Sequence, residues 1–117
     1  MSGRLEWAFG RYLLAFLFLA GAAQKTIDPA PARMLLAGYG MPEWLVWPAL
    51  AFNALAAGLL IAGKFLKPLG RTLAMYCLLT SVFHLVPDDP WQMSILVKNW
   101  ALAGGCLILS ASSDQWL

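Results

Sequence analysis

The stretch Trp44-Leu-Val-Trp-Pro-Ala-Leu-Ala-Phe-Asn-Ala-Leu-Ala-Ala-Gly-Leu-Leu-Ile-Ala-Gly63 decides the fold of this chain. It contains no charged residue, and at ~1.5 Å per helical residue it is long enough to cross a hydrocarbon layer about 30 Å thick. We therefore predict that this segment is a transmembrane helix. Three further apolar stretches flank it, and each has a basic residue or a histidine in or close to its apolar part.

The composition of the whole chain indicates the same class of protein. Hydrophobic residues make up 61% of the 117 residues and charged residues 12%, which leaves too little polar surface to cover a soluble protein. The net charge of +2 is small and the basic residues are scattered, so we expect no nucleic-acid partner. We therefore expect the protein to be embedded in a lipid bilayer.

Four transmembrane helices in a single domain, residues 1–117, are predicted from the apolar stretches and the breaks between them. Proline and glycine fall in each connection, where they favour turns. The first apolar stretch imitates a secretory signal, but about 17 residues from 7 to 23 are enough to span if Arg11 extends its head group to the interface. A short interfacial helix is predicted at 32–37. The spans are predicted at 6–25, 44–63, 69–86 and 91–112.

The distribution of Lys and Arg predicts the orientation of these helices. The positive-inside rule places both termini in the cytoplasm. The expected fold is an all-α, up-down bundle of four transmembrane helices in the inner (cytoplasmic) membrane. The inner side then carries Arg4, Arg11, Lys64, Lys67 and Arg71, whereas the outer side carries Lys25, Arg33 and Lys98.

Polar residues inside the predicted spans are the first candidates for function, because a charge in hydrocarbon is costly. By the helical rise, Lys98 lies roughly 10 Å inward from Trp91. We expect Lys98 to face the bundle interior or a partner, or to extend to the outer head groups, and to pair with carbonyls, with Asp88 or Asp89, or with an anionic ligand. The residues of this candidate outer polar pocket are Lys25, His84, Lys98 and Asn99.

His84 and Arg11 have several candidate roles. His84 could be a proton relay, a metal or tetrapyrrole ligand, a hydrogen-bond donor to a quinone, or an interfacial residue bonded to a carbonyl or an aspartate. A single histidine excludes a bis-histidine haem within this chain, and no metal site is predicted. Arg11 is expected to reach lipid phosphates on the inner side. Cys77 and Cys106 have no metal or redox spacing, and no nucleophile, base or phosphate loop is recognisable, so self-contained catalysis is not expected.

Small and aromatic residues mark the helix faces that we expect to pack. One face of the second helix carries Asn53, Ala56, Ala57 and Leu60, at i, i+3, i+4 and i+7 spacing. The Asn53 amide should form a hydrogen bond to another helix. Ala101 and Gly105 belong to a flat surface on the fourth helix. The candidate packing or partner residues are Asn53, Ala56, Ala57, Trp100 and Gly104.

A series of motifs runs in a fixed order along the chain. It consists of Arg11-Tyr-Leu-Leu-Ala-Phe-Leu-Phe-Leu-Ala-Gly-Ala-Ala-Gln-Lys25, Gly40-Met-Pro42, Gly58-Leu-Leu-Ile-Ala-Gly63, Arg71, His84 and Lys98-Asn-Trp-Ala-Leu-Ala-Gly104. In this order and at these span positions, the sequence resembles the DoxX family over nearly the whole chain.

The resemblance implies a small four-helix membrane protein, and some members of the family are linked to thiosulfate:quinone oxidoreduction or to thiol and oxidative-stress complexes. The family usually has a glutamate in the second span where this chain has Asn53, so proton-coupled chemistry is not carried over. Five matching positions are carried over as a polar site and not as catalytic residues: Arg11, Lys25, His84, Lys98 and Asn99.

The function expected from these features is that of an auxiliary, non-catalytic integral-membrane subunit of a larger redox complex, which is respiratory, sulfur-oxidising or photosynthetic. Such a subunit would dock other membrane subunits through its helix faces and hold a quinone or a lipid head group at the outer pocket, with no intrinsic cofactor expected. One alternative is a quinone-linked oxidoreductase subunit of DoxX type. Another is a small-solute carrier or membrane scaffold.

Overall fold

The computed structural model describes residues 2–116, and it confirms the predicted all-helical class. A 3-10 turn at Glu43–Leu45 leads into the third helix, and a second one at Ser81–His84 prolongs the fourth. A short helix is present where one was predicted at 32–37, and it is longer than expected; its place at a membrane interface stays a prediction. The α-helices are α1 (Gly3–Ile27), α2 (Ala30–Gly38), α3 (Val46–Ala62), α4 (Leu66–Thr80) and α5 (Pro90–Trp116).

Three helical segments are long and apolar enough to cross a membrane: Gly3–Ile27, Glu43–Ala62 and Pro90–Trp116. They agree with three of the four predicted spans. The remaining prediction, 69–86, corresponds to α4, which is only 15 residues long and is not among these three. Its α-helical part ends at Thr80, six residues earlier than predicted.

Local sequence explains where α3 and α4 end and begin. Gly63 takes the left-handed conformation, with φ 73°, and its N–H donates to the Leu59 carbonyl to close α3. Pro68 lies inside the first turn of α4, where a missing N–H costs nothing because that turn has no intrahelical acceptor for it. At the other end, the Ser81 hydroxyl donates to the Leu78 carbonyl, 2.6 Å away, and satisfies a carbonyl as the helix tightens into the 3-10 turn.

Four of the helices share one hydrophobic core. Helix α1 packs closely along α3, and α4 packs closely along α5, whereas the two pairs meet along looser seams, α1 with α5 and α3 with α4. All four residues of the packing face predicted on α3 are buried in the structure. They are Asn53, Ala56, Ala57 and Leu60.

On α5 the predicted packing face is wrong as a contact within the chain. Ala101 and Gly104 are exposed, and the space around Gly104 is open. The buried face instead carries Ala103, Cys106 and Leu109. Alanine and cysteine allow close approach as glycine does, so small size alone did not identify the contact face. The role of Gly104 in binding a partner stays a prediction.

Contacts between distant parts of the chain define two ends of the molecule. At one, which we call the terminal end, the Trp7 indole N–H donates to the Ser112 hydroxyl at 2.9 Å, and Lys67 forms a salt bridge with Asp114 at 2.6 Å. Both described chain ends and the α3–α4 connection therefore lie together. At the opposite end, the Tyr39 hydroxyl beyond α2 donates to the Val82 carbonyl at 2.7 Å.

Candidate functional site

A buried amide is the centre of the candidate site. Asn53 of α3 is 4% exposed, and its side-chain oxygen, Oδ1, has no hydrogen-bond partner. Its amide nitrogen faces Gly21 of α1, since a β-carbon at Gly21 would lie 2.9 Å from that nitrogen. A buried acceptor without a donor loses its hydration and gains nothing in return, at a cost of about 1–3 kcal/mol. Such a group calls for an explanation.

Two lysines bring positive charge to this amide. The Lys25 ammonium folds back along α1 to within 3.8 Å of the same β-carbon position at Gly21, so it lies beside the Asn53 amide. Lys25 is half-buried, and Lys98 of α5 lies close enough to repel it. Within residues 2–116, neither lysine forms a salt bridge. The site therefore has an excess of positive charge.

Helix α4 supplies the remaining polar groups. The Tyr76 hydroxyl lies beside the Asn53 side chain, and the Tyr76 ring packs on Phe52 with 4.8 Å between ring centroids. Cys77 is a buried free thiol that lies within electrostatic range of Lys98. Each of the four core helices thus contributes one member to a group that we call the polar cluster: Lys25, Asn53, Tyr76 and Lys98.

The chemistry of the polar cluster suits a ligand with both acceptor and donor oxygens. An ammonium group and a tyrosine hydroxyl donate to a carbonyl or an anionic oxygen, and the free Asn53 oxygen accepts from a hydroxyl. The cluster contains no carboxylate to act as a base. Among residues 2–116, no group of three His, Cys, Asp or Glu side chains is arranged to hold a metal ion.

His84 does not join the polar cluster. Its ring Nδ1 lies 2.6 Å from the side-chain oxygen of Gln92, and no hydrogen bond or salt bridge between described residues links it to Lys98. Asp89 is not the partner of Lys98 either, because its carboxylate accepts from the backbone N–H groups of Trp91 and Gln92 and caps α5. The predicted outer pocket is therefore divided between two places.

The other predicted residues have distinct positions. Lys98 is exposed on the surface of the chain, so it does not occupy the bundle interior that was one of its expected surroundings. Asn99 is half-buried. Trp100 is 58% exposed and its indole N–H donates to the Ser81 hydroxyl at 3.2 Å, which fixes the ring on the outer surface of the molecule.

Arg11 differs from the expectation that it extends outward. It is 8% exposed, and its guanidinium carbon lies 5.4 Å from the Trp7 ring centroid and 5.0 Å from the Tyr12 ring centroid. Cation–π attraction from these two rings explains why the side chain folds inward. Its Nε atom is buried and has no partner.

Sequence reasoning missed Tyr76 and gave Asn53 only a packing role. A signal for their pairing does exist, because both lie roughly 15 Å by helical rise from the connection that joins α3 to α4. Two antiparallel helices place residues at equal distance from their connection at equal depth. Gly21 was read only as part of a motif, and its close contact with an amide could not be read from one sequence.

The arrangement defines a class of protein: a helical protein with three segments able to span a membrane and a cationic polar cluster to which four of its helices contribute. Comparison of the chain with protein families, with curated proteins and with solved structures gives no match. The DoxX resemblance therefore stays a prediction.

Proposed function

We propose that this protein is a non-catalytic subunit of a membrane redox complex and that its polar cluster holds the head group of a quinone. The observation that carries this proposal is the unpartnered side-chain oxygen of buried Asn53, in an amide group whose nitrogen side faces Gly21 and the Lys25 ammonium. A quinone carbonyl would accept from Lys25 or Tyr76, and a quinol hydroxyl would donate to Asn53. A lipid head group with the same oxygens is the competing ligand.

The membrane placement proposed is a bundle of four spans in the inner membrane with both termini in the cytoplasm. Helix α4 alone rises about 22 Å, but the 3-10 turn Ser81–His84 adds about 8 Å, so together they approach the ~30 Å of a hydrocarbon core. Basic residues at the terminal end, among them Lys64, Lys67 and Arg71, favour the cytoplasmic side for that end.

Attachment to other membrane subunits is proposed for the outer faces of the helices. Trp100 and Ile108 are exposed on α5, and Gly104 lies between them with open space around it. An aromatic ring beside a small residue lets a partner helix approach closely. We expect Gly104→Leu to reduce the retention of partner subunits while the chain itself stays folded.

The test is extraction in mild detergent, followed by mass spectrometry of co-purifying chains and lipids and an absorbance scan for quinone, haem or pigment. We expect a quinone and further membrane subunits with the wild-type protein. Lys25→Met should lose the quinone, whereas Lys64→Met, which removes an exposed lysine at the terminal end, should retain it.

Two results would contradict the proposal. Equal quinone content in both variants would mean that the polar cluster does not bind it. Reduction of a quinone at an enzyme-like rate by the isolated chain would mean that the protein is an oxidoreductase subunit and not an auxiliary one.

A further inference from the structure

A groove runs along the loose seam between α1 and α5. Its volume is about 370 Å³, within the range of small-molecule sites. Leu14 and Leu17 of α1 and Leu102 and Leu109 of α5 line it, and Gly105 leaves room between the helices. The groove is apolar apart from Arg11, which lies towards the terminal end.

The charge of Arg11 is not neutralised within the described chain. The side chain forms no salt bridge among residues 2–116, and its contacts are the Trp7 and Tyr12 rings with one long hydrogen bond of 3.4 Å to the Tyr12 hydroxyl. Arginine stays charged in proteins, so this cation is permanent. Arg11 is among the residues that line the groove, its side chain is 8% exposed, and its buried Nε has no hydrogen-bond partner.

We propose that this groove binds one anionic phospholipid, with its phosphate on Arg11 and one acyl chain between α1 and α5. A guanidinium fork matches a phosphate in both charge and geometry. The apolar part of the groove covers residues 7 to 17 of α1, roughly 15 Å of helix, and burial of an acyl chain against it removes apolar surface from water.

The polarity of the groove also fits a lipid. Arg11 lies towards the terminal end, and Leu14, Leu17 and Leu102 lie between it and the middle of the molecule, which is the order of head group and tail in one leaflet of a bilayer. A free phosphate would use Arg11 and leave the leucines uncovered. This inference does not depend on the proposed quinone site, which lies at the Gly21 level of α1, ten residues further along the helix.

Two variants separate the head-group and tail parts of the site. Arg11→Gln removes the charge. Gly10→Leu fills the groove, because Gly10 lines it and has no atom within 4 Å of an added β-carbon. The matched controls are Arg4→Gln, at an exposed arginine, and Gly58→Leu, at an exposed helical glycine that also has open space.

The experiment measures phosphatidylglycerol binding to the full chain in detergent by native mass spectrometry. Phosphatidylcholine and inorganic phosphate serve as competing probes. We expect one phosphatidylglycerol per wild-type chain and about tenfold weaker binding, equal to 1.4 kcal/mol, for Arg11→Gln and for Gly10→Leu. Both controls should bind as the wild type does.

Any of three results would overturn the proposal. Equal retention of phosphatidylcholine would show that the charge of the head group does not contribute to binding. Displacement of the lipid by inorganic phosphate alone would show that the acyl chain in the groove does not contribute. A lipid-free dimer whose association is blocked by Gly10→Leu would show that a second copy of the chain occupies the seam. If Arg11→Gln does not fold, the proposal is still tested by comparing phosphatidylglycerol binding of Gly10→Leu with that of its control Gly58→Leu.

Discussion

A single side chain, Asn53, has the clearest functional signature in this molecule. Its amide is buried at the meeting point of α1, α3 and α4, and its oxygen has no donor. If Asn53 served only for packing, a leucine of similar volume would make the protein more stable, because no desolvated oxygen would be left without a donor. Stability and ligand binding should therefore respond in opposite directions when Asn53 is replaced.

We predict that Asn53→Leu raises the stability of the detergent-solubilised protein by about 1 kcal/mol and abolishes quinone retention. Thermal unfolding followed by circular dichroism measures the first effect, and lipid extraction with mass spectrometry measures the second. Thr72→Val on the exposed face of α4 is the control for loss of a polar group. Lower stability with unchanged ligand content would identify Asn53 as a structural residue.

At the scale of secondary-structure elements, the packing of α4 on α5 depends on Gly70. A β-carbon at this position would lie 2.6 Å from the Cys106 carbonyl oxygen and 2.8 Å from the Ser110 β-carbon. The first of these neighbours is backbone and cannot move without its helix. The Ser110 hydroxyl also donates to the Lys67 carbonyl at 2.7 Å, which ties the same two helices together.

Gly70→Ala should destabilise the protein by about 1–3 kcal/mol, because the added methyl forces α4 away from α5. The midpoint of thermal unfolding measures this effect. Gly104→Ala on α5 is the matched control, since that glycine has open space and alanine favours helix by up to ~1 kcal/mol. An unfolding midpoint for Gly70→Ala equal to that of the control would mean that the helices do not approach this closely.

For the whole molecule, the placement of both chain ends beside the α3–α4 connection allows a sharp test of orientation. Ser2 and Gln115 are exposed at the terminal end, and Asp88 is exposed in the connection before α5. The natural cysteines are both buried, which limits background labelling. We predict that a membrane-impermeant thiol reagent labels Asp88→Cys in intact cells.

The same reagent should label Ser2→Cys and Gln115→Cys only after the cells are opened, because the proposed topology places the basic terminal end in the cytoplasm. Labelling of either terminal variant in intact cells would reverse or break the proposed topology.

Sequence reasoning recovered the helices better than the site. Long runs without charged residues allowed the long helices to be predicted. The spacing of small residues in α3 predicted which of its faces is buried. Apolar residues lie on all sides of α5, so periodicity does not tell which side faces the core, and Gly104 lies outside the contact face within the chain. The polar cluster depends on the rotation of all four helices at once, which explains why Lys25 and Lys98 were placed in one predicted pocket with His84 and Asn99, whereas Tyr76 was missed.

The looseness of the seams has a consequence for how the molecule is assembled. Each closely packed pair, α1 with α3 and α4 with α5, contains helices that are near neighbours in the chain, so each can form early with little loss of loop entropy. Lys25 and Asn53 belong to the first pair, and Tyr76 and Lys98 belong to the second. The polar cluster is therefore complete only when the two halves have docked, so retention of the proposed quinone would report that the chain has finished folding.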